Sequence, residues 1–150
     1  MEKKTWSKPM AVAEQFMPNE YISVCFYIRC DYAGQTINVN GHSQSHTKNG
    51  NGSGCGWENN MVFTVLSGDI QSDAGATIRI TELNTRDWLG RPTGDKVCYF
   101  VPSEHAQAPR STTISGVNVG DTIYWVTDVS YWMSHKGTVT YQDANRPQHS

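Results

Sequence analysis

Short runs of alternating apolar and polar residues, separated by turn signals, constrain the fold of this chain more than any other feature. Between the runs lie glycine-containing turns such as SGD at 67–69 and DAG at 73–75. Strands of this length and spacing are typical of β-sandwiches. The runs cover residues 21–30, 35–40, 61–66, 76–81, 96–101, 111–115, 121–129 and 136–141. We therefore predict an all-β fold, an antiparallel β-sandwich or jelly roll.

Two of these runs also predict which side chains face the core. In residues 21–30, YISVCFYIRC, the alternation places Phe26, Ile28 and Cys30 on one face and Arg29 on the other. In residues 121–129 both faces carry apolar side chains, which is expected of a strand covered on both sides. We expect that strand to be central in its sheet.

Composition and charge restrict the possible partners. The chain has 150 residues, of which 37% are hydrophobic, 11% aromatic and 17% charged, with a net charge of −2. A near-neutral chain with scattered basic residues lacks the electrostatic footprint of a nucleic-acid-binding protein, so no nucleic acid is expected as a partner. No apolar run approaches the roughly 18 residues of a membrane helix, so no membrane span is expected.

The N-terminal residues differ in character from the rest of the chain. We divide the sequence into an N-terminal arm, residues 1–20, and a β-sandwich domain, residues 21–150. Prolines interrupt the arm, and Met10, Val12 and Phe16 occupy even positions that would share one face of an extended strand. With Trp6 they are the predicted packing anchors of the arm. The basic start lacks the apolar stretch of a secretory signal, so we expect no classical leader.

Four cysteines, Cys25, Cys30, Cys55 and Cys98, leave two interpretations open. They are candidate disulfide cysteines with three possible pairings, or they are reduced and buried as small apolar residues. Cys25 and Cys30 point to opposite faces of the predicted strand. Cys25 lies on the more polar face, beside tyrosines and arginine, and is the better candidate for a bond between subunits.

Residues 41–56, GHSQSHTKNGNGSGCG, are predicted to be a long flexible loop. His42 and His46 lie in this segment, and Cys55 follows nine residues after His46. Imidazole and thiolate are good ligands for zinc or copper, so His42 and His46 with Cys55 or Cys30 are a candidate metal site. The spacing lacks paired CxxC-type motifs, and the sequence alone favours two solvated loop histidines. No cofactor is predicted.

Exposed tryptophans offer a different kind of site. Trp88 and Trp132, with Tyr131, are candidate sugar-stacking side chains on the surface of a β-sandwich, whereas Trp125 is expected in the core. The adjacent pairs Ser103-Glu104-His105 and Ser134-His135 lack the surrounding motif of a catalytic nucleophile. The sequence therefore does not predict an enzyme.

The two ends of the chain carry a resemblance. The opening WSKPMAVAEQFMPNEYISVC and the tail ANRPQHS resemble uncharacterised small cysteine-containing proteins of anaerobic Gram-positive bacteria. In architecture alone, a β-rich chain with an N-terminal arm also resembles the filament subunits of endospore appendages. This second resemblance implies that the arm of one subunit adds a strand to its neighbour and that disulfides harden the contact. The adjacent cysteine pair of those arms is missing here.

These observations lead to one functional prediction and two alternatives. We predict a structural subunit of an extracellular, cell-surface or spore-surface filament whose partners are copies of itself, joined by β-strand addition of the arm. The first alternative is a carbohydrate-binding module that uses Trp88 and Trp132. The second is a small metal-binding protein that uses His42 and His46.

Overall fold

Every regular element in the described part of the chain is a β-strand. The computed structural model describes residues 25–47, 54–55, 60–129 and 131–142, without the side chains of Cys25 and Gln142. In chain order the strands are β1 (Cys25–Tyr27), β2 (Thr36–Val39), β3 (His42–Ser45), β4 (Met61–Gly68), β5 (Ala76–Arg86), β6 (Pro92–Val97), β7 (Tyr99–Val101), β8 (Ile114–Val117), β9 (Thr122–Asp128), β10 (Trp132–Thr138) and β11 (Thr140–Gln142). The all-β prediction is confirmed.

Two larger antiparallel sheets enclose the core. One contains β4, β5 and β6 in that order, with β8 also paired to β5, and the other has the order β10–β9–β7. Strands β2 and β3 form a hairpin, and β1 pairs with β11. Ile78 and Ile80 of β5 belong to the same buried cluster as Ile123 and Trp125 of β9. Two sheets that share one core are consistent with the predicted sandwich, whereas jelly-roll connectivity stays a prediction.

The burial of β5 and β9 follows their sequences. Along β5, buried and partly buried residues alternate from Ala76, so that Glu82 continues the face formed by Ile78 and Ile80. Strand β9 lies between β10 and β7 and buries residues of both faces, as expected for a central strand. Cys98 lies between β6 and β7, where the chain passes from the first sheet to the second.

The predicted loop at 41–56 is partly wrong, because its first residues form β3. Asn40 and Gly41 both have positive φ, 53° and 83°, as a two-residue type I′ hairpin turn requires. This turn pairs Thr36 with Ser45 and Val39 with His42. The Asn-Gly signal at 40–41 predicts this hairpin, but the polar sequence of β3 obscures it.

Several predictions concern residues outside the described ones. The predicted arm, residues 1–20, lies there with its anchors Trp6, Met10, Val12 and Phe16. The side chain of Cys25 is also outside them. Among the residues that are described, no helix is long and apolar enough to cross a membrane.

Gly137 gives a direct test of this packing. A Cβ atom at this position would overlap the carbonyl oxygen of Arg29 and lie 2.8 Å from Cγ1 of Ile28. We expect Gly137→Ala to lower the free energy of unfolding by about 1–3 kcal/mol, because backbone atoms must move to relieve the overlap. Urea denaturation measures this change. The neighbouring exposed variant Thr138→Ala should stay within about 0.5 kcal/mol of the parent protein, and equal stability of the two variants would contradict the described packing.

Candidate metal centre

Four side chains of residue types that can bind a metal meet in the core, although they come from distant parts of the sequence. They belong to Cys30, His46, Cys55 and His135, and all four are buried. Their ligand atoms all lie within 4.8 Å of one another. Two cysteines and two histidines are a common donor set of tetrahedral zinc sites.

The distances within this group, called here the Cys₂His₂ cluster, form a closed ring of four contacts. The Sγ atom of Cys30 lies 3.5 Å from Nδ1 of His46 and 3.4 Å from Nδ1 of His135. The Sγ atom of Cys55 lies 3.2 Å from Nδ1 of His46 and 3.3 Å from Nδ1 of His135. Bonds of about 2.3 Å to sulfur and 2.0–2.1 Å to nitrogen at the tetrahedral angle give S···N separations of about 3.5–3.6 Å. The four atoms therefore surround a common point at nearly metal-ligand distance.

Backbone hydrogen bonds place Cys30 beside His135. Cys30 follows β1, and the amide of the next residue, Asp31, donates to the carbonyl of Lys136 over 2.7 Å. Lys136 follows His135 in β10, so this bond fixes the two ligands next to each other. The amide of Ala33 donates to the carbonyl of Cys30 over 3.0 Å, which closes a turn directly after this cysteine.

His46 is positioned by its own backbone and by the side chain of Gln44. Its amide donates to the carbonyl of Gln35, and its carbonyl accepts from the amide of Gly34, both over 2.8 Å. Two residues earlier, the buried Gln44 donates from Nε2 to the carbonyl of Trp132 and accepts at Oε1 from the amide of Ser134, each over 2.8 Å. Because Ser134 precedes His135, this side-chain amide joins the strand before one ligand to the strand that carries the other.

The second nitrogen of His135 has partners that orient the ring. Its Nε2 lies 3.0 Å from Oγ1 of Thr127 and 3.6 Å from Oε2 of Glu82. A metal bound at Nδ1 requires the neutral ring to carry its proton at Nε2, facing these oxygens. The ring of Trp125 stacks on His135 with centroids 5.4 Å apart. A carboxylate behind a ligating histidine is the usual second layer of a zinc site.

His46 lacks an equivalent oxygen partner. Its Nε2 is buried and has no hydrogen bond among the described residues. The ring instead meets the ring of Tyr32 edge-on, with centroids 5.4 Å apart, and that of His135 at 5.1 Å. Its position therefore rests on ring packing and on the backbone bonds of its own segment.

The electrostatics of the cluster favour negative charge on one sulfur, that of Cys30, with positive charge beside it. The hydrogen bond with Cys55 lowers the pKa of Cys30 well below its usual value despite burial, and His135 and His46 lower it further. The same contact, together with burial, raises the pKa of Cys55. Burial lowers the pKa of His135, but the contact with Cys30 and the charge of Glu82 outweigh it and raise the pKa overall. A bound cation would supply the positive charge that these shifts favour.

The structure places the two histidines that are candidate metal ligands in the sequence in different environments. His46 is fully buried in the cluster and is not a solvated loop histidine, whereas His42 is exposed and lies outside the cluster. Among the candidate disulfide cysteines, Cys30, Cys55 and Cys98 are free thiols, so no disulfide joins them. Cys98 is not one of the four cluster residues: its Sγ contacts Oγ1 of Thr127 at 3.4 Å, and burial raises its pKa to about 12.

Sequence reasoning did not identify His135 as a candidate ligand or Glu82 as its neighbour in the site. His135 comes 80 residues after Cys55, so no local spacing links it to the other ligands. The alternating pattern of β5 could have pointed to Glu82. It is an acidic residue that follows Ala76, Ile78 and Ile80 on the buried face of β5, and a buried charge requires a partner.

The sugar-stacking candidates lie at one cleft. Trp88 is exposed, Trp132 is half-buried, and both line a cleft of about 680 Å³ together with Tyr131. Trp125, in contrast, is fully buried, as expected.

No protein-family model, curated protein or solved structure matches this chain.

Proposed function

We propose that this chain is a zinc-binding β-sandwich protein in which Cys30, His46, Cys55 and His135 hold one structural zinc ion. The observation that carries the proposal is the closed ring of S···N contacts, 3.2–3.5 Å long, between four buried donor atoms. Hydrogen-bonded thiols and imidazoles can also pack without a metal. However, two sulfurs and two nitrogens around one point match tetrahedral coordination.

The donor chemistry favours zinc over other cations. Thiolate and imidazole are poor ligands for magnesium and calcium, which select oxygen. Blue-copper sites use two histidines, one cysteine and a weak axial ligand, whereas this cluster offers two cysteines. Four protein ligands also leave no coordination position for water or substrate, so the proposed ion has a structural rather than a catalytic role.

A zinc ion here would add covalent-strength cross-links between segments that hydrogen bonds already hold together. Cys30 follows a three-residue strand, and His46 follows a four-residue one. Such short strands have few ladder hydrogen bonds of their own. Coordination would fasten both segments to β10, and the free energy of binding would add to the stability of the fold.

The first prediction concerns metal content. We expect about one zinc ion per chain by elemental analysis, and removal by a chelator should lower Tm by roughly 5–10 °C. Cys55→Ser and His46→Gln should lose the metal because each removes one of four ligands. Cobalt substituted for zinc should show the thiolate-to-metal absorption bands of a two-sulfur tetrahedral site, weakened in Cys55→Ser.

Matched controls distinguish ligands from bystanders. Cys98→Ser and His42→Gln change the same residue types outside the cluster, so both should retain one zinc ion per chain. Loss of zinc in His42→Gln with retention in His46→Gln would contradict the proposed ligand set. A protein that stays metal-free in the presence of zinc and reductant would contradict the function itself.

The second layer gives an independent prediction. Glu82→Gln keeps the shape of the side chain but removes the charge 3.6 Å from Nε2 of His135. We expect zinc affinity, measured by competition with a chromogenic chelator, to fall about 10–100-fold while the stoichiometry stays at one. The exposed variant Asp73→Asn, which removes the same charge elsewhere, should bind zinc as the parent does. Unchanged affinity in Glu82→Gln would exclude this role.

Self-assembly is the second candidate function, and one feature of the described chain favours it. Strand β4 pairs with β5 on one side and has no strand on its other side among the described residues. Every residue of β4 from Thr64 onward is exposed, and the exposed apolar side chains of the strand are Val62, Val65 and Leu66. An exposed apolar edge strand is a template for strand addition. The apolar positions of the predicted arm suit such an edge, so a neighbouring copy is the partner we propose.

This mechanism predicts that both halves of the contact are required for polymers. Deletion of residues 2–18 or the variant Val65→Lys should abolish fibres seen by electron microscopy and leave a folded monomer in size exclusion. Val119→Lys places the same charge at an equally exposed valine away from β4 and should leave fibres intact. Fibres that survive the deletion, or a parent protein that stays monomeric, would contradict strand addition.

A further inference from the structure

We propose that the cleft lined by Trp88 and Tyr131, called here the aromatic cleft, binds a neutral oligosaccharide. Its volume is about 680 Å³, within the roughly 300–1,000 Å³ of small-molecule sites. Four segments form it: the β2–β3 hairpin, the loop after β5, residue 107, and residues 131–132. The lining residues are Val39, Asn40, His42, Ser43, Gln44, Trp88, Gln107, Tyr131 and Trp132.

The exposure of the aromatic rings points to stacking. Trp88 is 72% exposed and Tyr131 is 42% exposed, although burial of such side chains is strongly favourable. Trp132 is held differently: the guanidinium of Arg110 lies 3.5 Å from its ring centroid, and the ring of Tyr99 meets it edge-on. Arg110 covers one face of Trp132, so that ring forms a wall of the cleft, while the exposed fractions of Trp88 and Tyr131 leave ring surface open to a ligand.

The polar side chains of the aromatic cleft define the ligand's chemistry. None of the described residues that line the cleft is aspartate, glutamate, lysine or arginine, so this part of the lining favours a ligand without a formal charge. Asn40, Ser43 and Gln107 offer amide and hydroxyl groups beside the rings. A pyranose presents an apolar C–H face for stacking and a rim of hydroxyls for such groups.

Two other ligand classes fit less well. A lipid or other purely apolar ligand would meet one aliphatic side chain, Val39, which is 2% exposed, and would leave the amides without partners. A proline-rich peptide could dock against aromatic rings, and the experiment below includes it. The match of flat rings with neutral hydrogen-bonding groups favours the sugar.

The floor of the aromatic cleft is already rigid. Gln44 is buried and both ends of its side-chain amide bond the backbone of β10, at Trp132 and Ser134. Gln107 Nε2 donates to Oγ of Ser134 over 3.3 Å. A ligand would therefore order few groups on binding, which lowers the entropic cost of binding. The proposal uses none of the zinc ligands and does not depend on a metal.

Calorimetric titration of the full chain with cellohexaose, xylohexaose and chitohexaose tests the proposal. We expect at least one of them to bind, and Trp88→Ala and Tyr131→Ala each to weaken that binding about tenfold or more. Leu89→Ala removes an exposed apolar side chain next to Trp88 but outside the aromatic cleft, and should bind as the parent does. Equal far-UV circular dichroism and equal Tm in all variants show that the fold is intact.

Three results would overturn the sugar assignment. The first is that none of the three hexasaccharides binds at millimolar concentration. The second is that binding persists unchanged in both aromatic variants, which would place the ligand elsewhere. The third is that a proline-rich decapeptide binds the parent with loss in Trp88→Ala while the sugars do not, which would make the cleft a peptide site.

Discussion

Burial of ionisable groups in one core is the constraint on which the rest of this structure depends. Two thiols, two imidazoles and the carboxylate of Glu82 lie together where water cannot reach them. An uncompensated charge in such surroundings is expensive, and hydrogen bonds among neutral groups satisfy few of the donors. One divalent cation with two thiolates is neutral overall, and its bonds would satisfy all four ligand atoms at once. Glu82 would then face the proton that His135 carries at Nε2.

The surrounding fold acts as a frame for these groups. Strand β5 brings Glu82 into the core by continuing the alternation of Ile78 and Ile80, and β9 brings Thr127 in the same way after Trp125. Strand β10 supplies His135 from the edge of its sheet. An edge strand leaves backbone groups unpaired, and the side chain of Gln44 completes two of them. The polar residues of this core therefore stabilise backbone as well as ligands.

The sequence predicts the framework of this protein better than its site. Alternation depends on local neighbours, so it correctly predicts the all-β fold, the central position of β9 and the burial of Ile28 and Cys30, but it does not predict strand β3. The Cys₂His₂ cluster depends on which strands become neighbours, and no pattern links Cys55 to His135. His42 and His46 look equivalent in sequence. The turn at 40–41 sets the register of the hairpin, and this register leaves His42 exposed while the chain beyond β3 carries His46 into the core.

Strand β10 connects the two proposed binding regions. Its first residue, Trp132, forms a wall of the aromatic cleft, and His135 on the same strand belongs to the Cys₂His₂ cluster. The segment that contains Gln44 also belongs to both regions. Gln44 lines the cleft, and His46, two residues later, belongs to the Cys₂His₂ cluster. Displacement of β10 would therefore change both regions, because the side-chain amide of Gln44 is hydrogen-bonded to the backbone of β10. A metal that holds His46 against His135 would also fix the distance between the two walls of the cleft, so it would preorganise the cleft without contacting its ligand.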